Sequence, residues 1–221
     1  GSFIGNFTMA QDLPVPLHQK LTGLFKQYLV VGGMPESVRV FAESGLYRES
    51  DRVKQSVLTT YIDDFSKYGK RINHELLSTV FRALPHAAGK VAKLTSISRD
   101  FRPAQISRAL HLLSLARVWY PVYHSSCEGI PLGATVNHNR MKPLFLDVGL
   151  LTGACGLSMA SIESAGDLLL VNSGSVAEQF IGQHLLYRQE PYREPELHFW
   201  SREKPASNAE IDYAISLGTR I

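Results

Sequence analysis

The chain has 221 residues, Lys+Arg 23 against Asp+Glu 20, 44% hydrophobic and 19% charged residues. These are the proportions of a soluble globular protein with a sizeable core, and they exclude a disordered or fibrous chain. No apolar run, the longest lying at 168–171, approaches the roughly 18 to 20 residues of a membrane span, and the first residues have no basic and apolar regions of a secretory signal.

Cys127 and Cys155 are too few for a disulfide framework or a structural zinc site, which suits a reducing cytoplasm. Neither has a recognisable catalytic partner, so each reads as a small buried hydrophobe. There is no G-x-x-x-x-G-K-[ST] loop to cradle ATP and no H-x-x-x-H pair to hold zinc.

Residues 1–16 mix Gly, Pro and polar residues without periodicity and read as an arm or linker. Gly1-Ser2 looks like a cloning remnant, with the natural start expected upstream. A helix is expected over 18–31, with Leu21, Leu24, Phe25, Tyr28 and Leu29 on one face and Gly32-Gly33 as its stop. Pro35 opens a second helix, reaching about Ala42. A third, over 47–65, would bury Val53, Val57, Leu58, Tyr61, Ile62 and Phe65, and the three are expected to pack together.

Charge then becomes concentrated. Between Lys67 and Arg117 stand ten basic residues (Lys67, Lys70, Arg71, Arg82, Lys90, Lys93, Arg99, Arg102, Arg108 and Arg117) against Glu75 and Asp100, a net of +8, so the flanking parts are acidic on balance. Three helical patterns follow one another here. The first covers 73–84 and is ended by Pro85, the second covers 90–97, and the third starts at Pro103 and runs to Ala116 through Ile106, Ala109, Leu110 and Leu113. The period then shortens to that of strands over 118–123, 129–133 and 142–146.

Three helices followed by a hairpin is the order of a winged helix-turn-helix, whose third helix would enter the major groove. Lys90, Lys93, Arg99, Arg102 and Arg108 are the candidate phosphate contacts, because backbone binding needs clustered Lys and Arg. A solvated surface or a protein-docking module is the other reading of the same pattern. Trp119, Tyr120 and Tyr123 sit at strand spacing and read as core.

After Leu151 the composition loosens through Gly153, Gly156 and Gly166. A helix over 171–187 follows, with Ser173 or Ser175 as cap, Val176, Phe180, Ile181 and Leu185 as its apolar side and Glu178 near its positive end. Strands are expected over 196–201 and 209–216, joined by a polar loop over 202–208. Alternation in the second sets Ile211, Tyr213 and Ile215 on one face and Glu210 with Asp212 on the other.

Three motifs in order, Tyr28-Leu-Val-Val-Gly-Gly-Met-Pro-Glu36, Thr60-Tyr-Ile-Asp-Asp-Phe-Ser-Lys-Tyr68 and Lys142-Pro-Leu-Phe-Leu-Asp-Val-Gly-Leu-Leu151, resemble signatures of a prokaryotic family, the domain of unknown function 4143. That domain lies C-terminal to an AAA+ ATPase domain, so the resemblance implies an ATP-binding half upstream of Gly1, which would be this chain's partner.

The helix with Glu178 and the strand with Asp212 resemble the first half of the PD-(D/E)XK, restriction endonuclease-like fold. The resemblance carries Glu178 and Asp212 to catalytic, metal-ligating positions, where paired carboxylates could hold Mg²⁺ for attack on a phosphodiester. The strand that should supply Glu-x-Lys would follow the turn at 217–220. The site is therefore expected to be incomplete within this chain, to be finished by residues beyond Ile221 or to survive as a structural copy.

The expected architecture is α+β: a linker and helical segment over 1–66, a winged helix over 67–150 and a truncated nuclease-like end over 151–221. DNA is the expected ligand. The unpaired strand edges of the truncated end are expected to make dimer contacts.

Overall fold

The structure, a computed structural model, describes residues 13–68, 73–159, 174–190, 192, 195–204 and 207–216. Most of the expected N-terminal arm lies outside the described residues, as do Lys70, Arg71, the apolar run 168–171, the candidate cap Ser173 and the turn 217–220. The architecture is α+β. In order come α1 Val15–Val31, α2 Pro35–Ser44, α3 Tyr47–Asp64 leading into a 3-10 turn Phe65–Tyr68, α4 His74–Ala87, α5 Leu94–Ile97 and α6 Pro103–Leu115. Then follow β1 Trp119–Ser125, β2 Val136–Phe145, α7 Val148–Ala154, α8 Gly174–Tyr187, β3 His198–Lys204 and β4 Ser207–Ala214. No helix among the described residues is long and apolar enough to cross a membrane.

A helix leaves its last four carbonyls without intrahelical partners; at the buried end of α1 the first is met by the capping residue and the other three by three different helices. Gly32 N–H donates to the Tyr28 carbonyl at 2.8 Å, and the Thr152 hydroxyl of α7 to Leu29 at 2.9 Å. The Lys54 ammonium of α3 donates to Val30 at 2.6 Å, and the Ser37 hydroxyl of α2 to Val31 at 2.8 Å. Lys54 is fully buried, and its charge is balanced by Asp51 at 2.6 Å and by the negative end of the α1 dipole. Polar groups that look scattered in the sequence thus hold α1, α2, α3 and α7 together.

The main core lies between these helices, α4, α6 and one face of the sheet, with Val80, Phe81, Leu84, Ile106, Leu113, Trp119 and Phe145 all buried. Helix α4 is capped by Asn73, whose side chain accepts the Glu75 N–H at 2.8 Å. It does not stop at Pro85, as expected, but runs to Ala87. Pro85 forfeits one N–H donor there, but it is buried against the core and less than one further turn of helix follows it.

The helix expected over 90–97 is only Leu94–Ile97, because Ala92 is drawn into a bridge with β2, its N–H donating to Met141 at 2.7 Å. Residues 129–133 are not a strand. A 3-10 turn, Leu132–Thr135, lies there, tied to the end of β1 by Ser125 Oγ, which is 2.9 Å from the Leu132 carbonyl and 3.0 Å from Thr135 Oγ1.

The sheet order is β2-β1-β3-β4. The β1–β2 and β3–β4 pairs are antiparallel, and β1 pairs in parallel with β3 at Tyr123↔His198 and His124↔Phe199. The hairpin after α6 and the two C-terminal strands therefore share one sheet. Side chains alternate across it: Trp119, Tyr123, Met141 and Phe145 face the helical core, whereas Val122, Leu144, Leu197 and Phe199 form a smaller cluster with Leu185 and Leu186 of α8. Tyr213 and Ile215 join that cluster, but Ile211 does not and is 52% exposed: a register shift between the His198↔Ala214 and Trp200↔Ile211 pairs breaks the expected alternation, so Tyr213 lies on the α8 side together with Glu210 and Asp212 instead of opposite them.

Candidate functional site

On the α8 side of the sheet a single lysine gathers three carboxylates. Lys142 stands in β2, yet its side chain is only 4% exposed. Its ammonium lies 3.2 Å from Glu178 Oε2 of α8, 2.5 Å from Glu210 Oε1 and 2.9 Å from Asp212 Oδ1, both of β4. Because β2 and β4 are opposite edges of the sheet, the lysine reaches across its face, and its Nζ sits 5.5 Å from the centroid of the buried Phe199 ring on β3. Glu210 and Asp212 turn to the same side, as period-two alternation requires.

The elements around the lysine are held tightly. The Gln179 side chain pairs with both backbone groups of Phe145, accepting its N–H at 2.8 Å and donating to its carbonyl at 2.7 Å. One turn later, Gln183 accepts the Val148 N–H at 2.8 Å and donates to the Tyr28 hydroxyl at 3.2 Å. From β4 the Tyr213 hydroxyl donates to the Glu178 carbonyl at 2.9 Å, with its ring against Gly182, where a Cβ would stand 2.5 Å from that oxygen.

Charge in the cluster follows from this packing. Burial pulls the Lys142 ammonium downward, but the hydrogen bonds it donates to Glu210 and Asp212 and the charges of Glu178 and Asp212 outweigh it, leaving the group above the ordinary lysine value. Burial raises Glu178 above the usual carboxylate range, and Lys142 offsets only part of that rise. Tyr213 is raised by burial and by the neighbouring Glu178 and Asp212 charges.

Glu178 and Asp212, singled out in the sequence, are thus brought together. Lys142 and Glu210 were missed as site residues. The signal for Lys142 is a lysine inside the otherwise apolar stretch Met141–Phe145; the signal for Glu210 is its spacing of two from Asp212. A divalent ion between these carboxylates would need oxygens at about 2.0–2.6 Å in a closed coordination shell. The three nearest oxygens instead converge on Nζ, and among the described residues no group of three or more His, Cys, Asp or Glu side chains is placed to hold a metal ion. As arranged, these residues do not fit Mg²⁺.

The basic candidates lie elsewhere. Lys90, Lys93, Arg99, Arg102 and Arg108 are all exposed, on the turns around α5 and on the first two turns of α6. None of them forms an ion pair with a described residue. Arg102 caps α6, its N–H donating to Gln105 Oε1 at 3.0 Å. Both cysteines are free; burial raises the Cys155 thiol, whose Sγ lies 3.9 Å from His86 Nδ1.

A family model, "Domain of unknown function (DUF8612)", matches residues 22–161. The chain belongs to this family. The matched span contains Lys142 and the basic residues of α5 and α6, whereas Glu178, Glu210 and Asp212 lie beyond it. Neither a curated protein nor a solved structure matches the chain.

Proposed function

We propose that this DUF8612 protein is a DNA-binding module that grips duplex phosphates through Lys90, Lys93, Arg99, Arg102 and Arg108. The observation that carries the reading is that five cations close together in the sequence stand exposed without carboxylate partners among the described residues. Exposed, unpaired Lys and Arg exchange water and counterions for phosphate at little cost. The positive end of the α6 dipole, at Arg102, adds to the same field. The order α4, α5, α6, β1, β2, with Ala92 bridging to β2, supports a winged-helix mode of docking in which α6 meets the major groove.

The motif resemblance to the domain of unknown function 4143 supports a position following a prokaryotic AAA+ ATPase domain, whose nucleotide state would be coupled to DNA binding. The test is fluorescence anisotropy of a labelled duplex against this protein over a salt series. Affinity should fall with a log–log slope of about −0.9 per phosphate engaged, so about −4.5 for five contacts. The triple variant Lys90→Glu, Lys93→Glu, Arg99→Glu should lose both the affinity and most of the slope. Absence of binding at low salt would overturn the reading and leave the surface to a protein partner.

A further inference from the structure

The nuclease-like resemblance implies a divalent ion at Glu178 and Asp212, and the place such an ion would take is filled by part of the protein itself. Three observations meet there. The Lys142 side chain is 4% exposed, so its charge has been taken out of water, and it touches all three carboxylates within 3.2 Å. The fully buried Phe199 ring presents its π-system to the same ammonium at 5.5 Å, a contact that suits an organic cation and offers nothing to a metal that binds through oxygen. Burial raises the Glu178 carboxyl, and the Lys142 ammonium 3.2 Å away opposes that rise.

We propose that Lys142 is the resident cation of this site, a tethered ammonium that takes the place of a divalent metal ion and clamps α8 and β4 to β2. The clamp joins the DUF8612-matched part of the protein to the C-terminal helix and strand that bear the carboxylates. It is independent of DNA binding, because Lys142 faces the carboxylates and takes no part in the exposed basic surface.

Mn²⁺ binding, followed by the loss of its free-ion electron paramagnetic resonance signal, tests the proposal directly. Wild type should show no saturable binding at millimolar Mn²⁺, and Mg²⁺ should leave its thermal midpoint unchanged. Lys142→Met keeps the side-chain volume against Phe199 but uncovers three carboxylates, so it should gain saturable Mn²⁺ binding, tighter by at least about tenfold because ligand charge sets affinity. Adding Asp212→Asn should remove that gain, and Lys142→Arg, which keeps the cation, should remain without it. Saturable binding to wild type that Asp212→Asn abolishes would overturn the proposal, as would a folded Lys142→Met variant that binds no better than wild type. Should Lys142→Met fail to fold by circular dichroism, the wild-type titration with its Asp212→Asn control decides alone.

Discussion

Gly149, in the first turn of α7, lies against Gly32 so closely that a Cβ on it would stand 2.6 Å from both the Gly32 nitrogen and its Cα. Gly32 itself has φ 74 and ψ −164, a conformation open essentially to glycine alone, and a Cβ there would collide with an Asp147 carboxylate oxygen. Asp147 completes the junction by accepting the Gly33 N–H at 2.8 Å and capping α7 at Leu150 N–H, 3.0 Å away. Gly149→Ala should destabilise the fold by about 1–3 kcal/mol or more through overpacking. Gly32→Ala should cost more, since strain is added to the clash. Urea denaturation midpoints of the two variants check the order.

Gln179 covers the outer edge of β2 much as another strand would, pairing with Phe145 N–H and carbonyl together. Gln179→Leu fits the volume but leaves two buried backbone groups unpaired, each costing about 1–3 kcal/mol. Gln179→Glu keeps the acceptor for the Phe145 N–H and loses the donor. The expected order of stability is wild type, then Gln179→Glu, then Gln179→Leu, with denaturation at neutral pH as the measurement. Equal stability of all three would show the pairing to be dispensable.

These two sites explain what could be read in advance. The α+β class and most of the elements follow from local periodicity and from Gly and Pro at element ends, which is why α1, α2 and α6 lie close to their expected bounds. The motifs Tyr28–Glu36 and Lys142–Leu151 were recognisable as patterns, but their meaning is a contact between glycines far apart in the sequence, which no local rule shows. The Glu210 and Asp212 spacing was legible from strand alternation. The reach of Lys142 across β1 and β3 was not, because it depends on strand order, and the parallel β1–β3 pairing joins parts that the sequence suggests are separate. Gln179 and Gln183 escaped notice because they are polar residues on a face read only for its apolar members.

Lys54 donates to the Val30 carbonyl at 2.6 Å while wholly buried, with Gly153 of α7 packed along its stem. Lys54→Met preserves that stem but deprives a buried carbonyl of its donor and Asp51 of its cation. Stability should fall by about 1–3 kcal/mol, the cost of an unsatisfied buried polar group. Lys54→Arg should not rescue it, because a planar guanidinium does not reproduce the single compact ammonium that meets the Val30 carbonyl and Asp51 together. Thermal and urea midpoints for the two variants make the comparison.

His198 supplies the pH dependence. It is 8% exposed at the short β1–β3 seam, and its Nδ1 has no hydrogen-bond partner among the described residues. Burial lowers its pKa below the ordinary 6.5, and a hydrogen bond to the Tyr123 backbone and the Glu196 charge only partly oppose this. A depressed histidine binds its proton more readily in the unfolded state. Its effect is therefore absent above about pH 6.5, and stability is lost as pH falls from there toward the folded value. The slope from this one group is at most about 1.4 kcal/mol per pH unit. His198→Leu keeps an apolar group at the seam and should flatten the stability profile between about pH 6.5 and pH 5 while leaving it unchanged in shape above neutrality. Urea denaturation of wild type and variant across that range is the measurement, and identical acid limbs would show that His198 does not carry the proton.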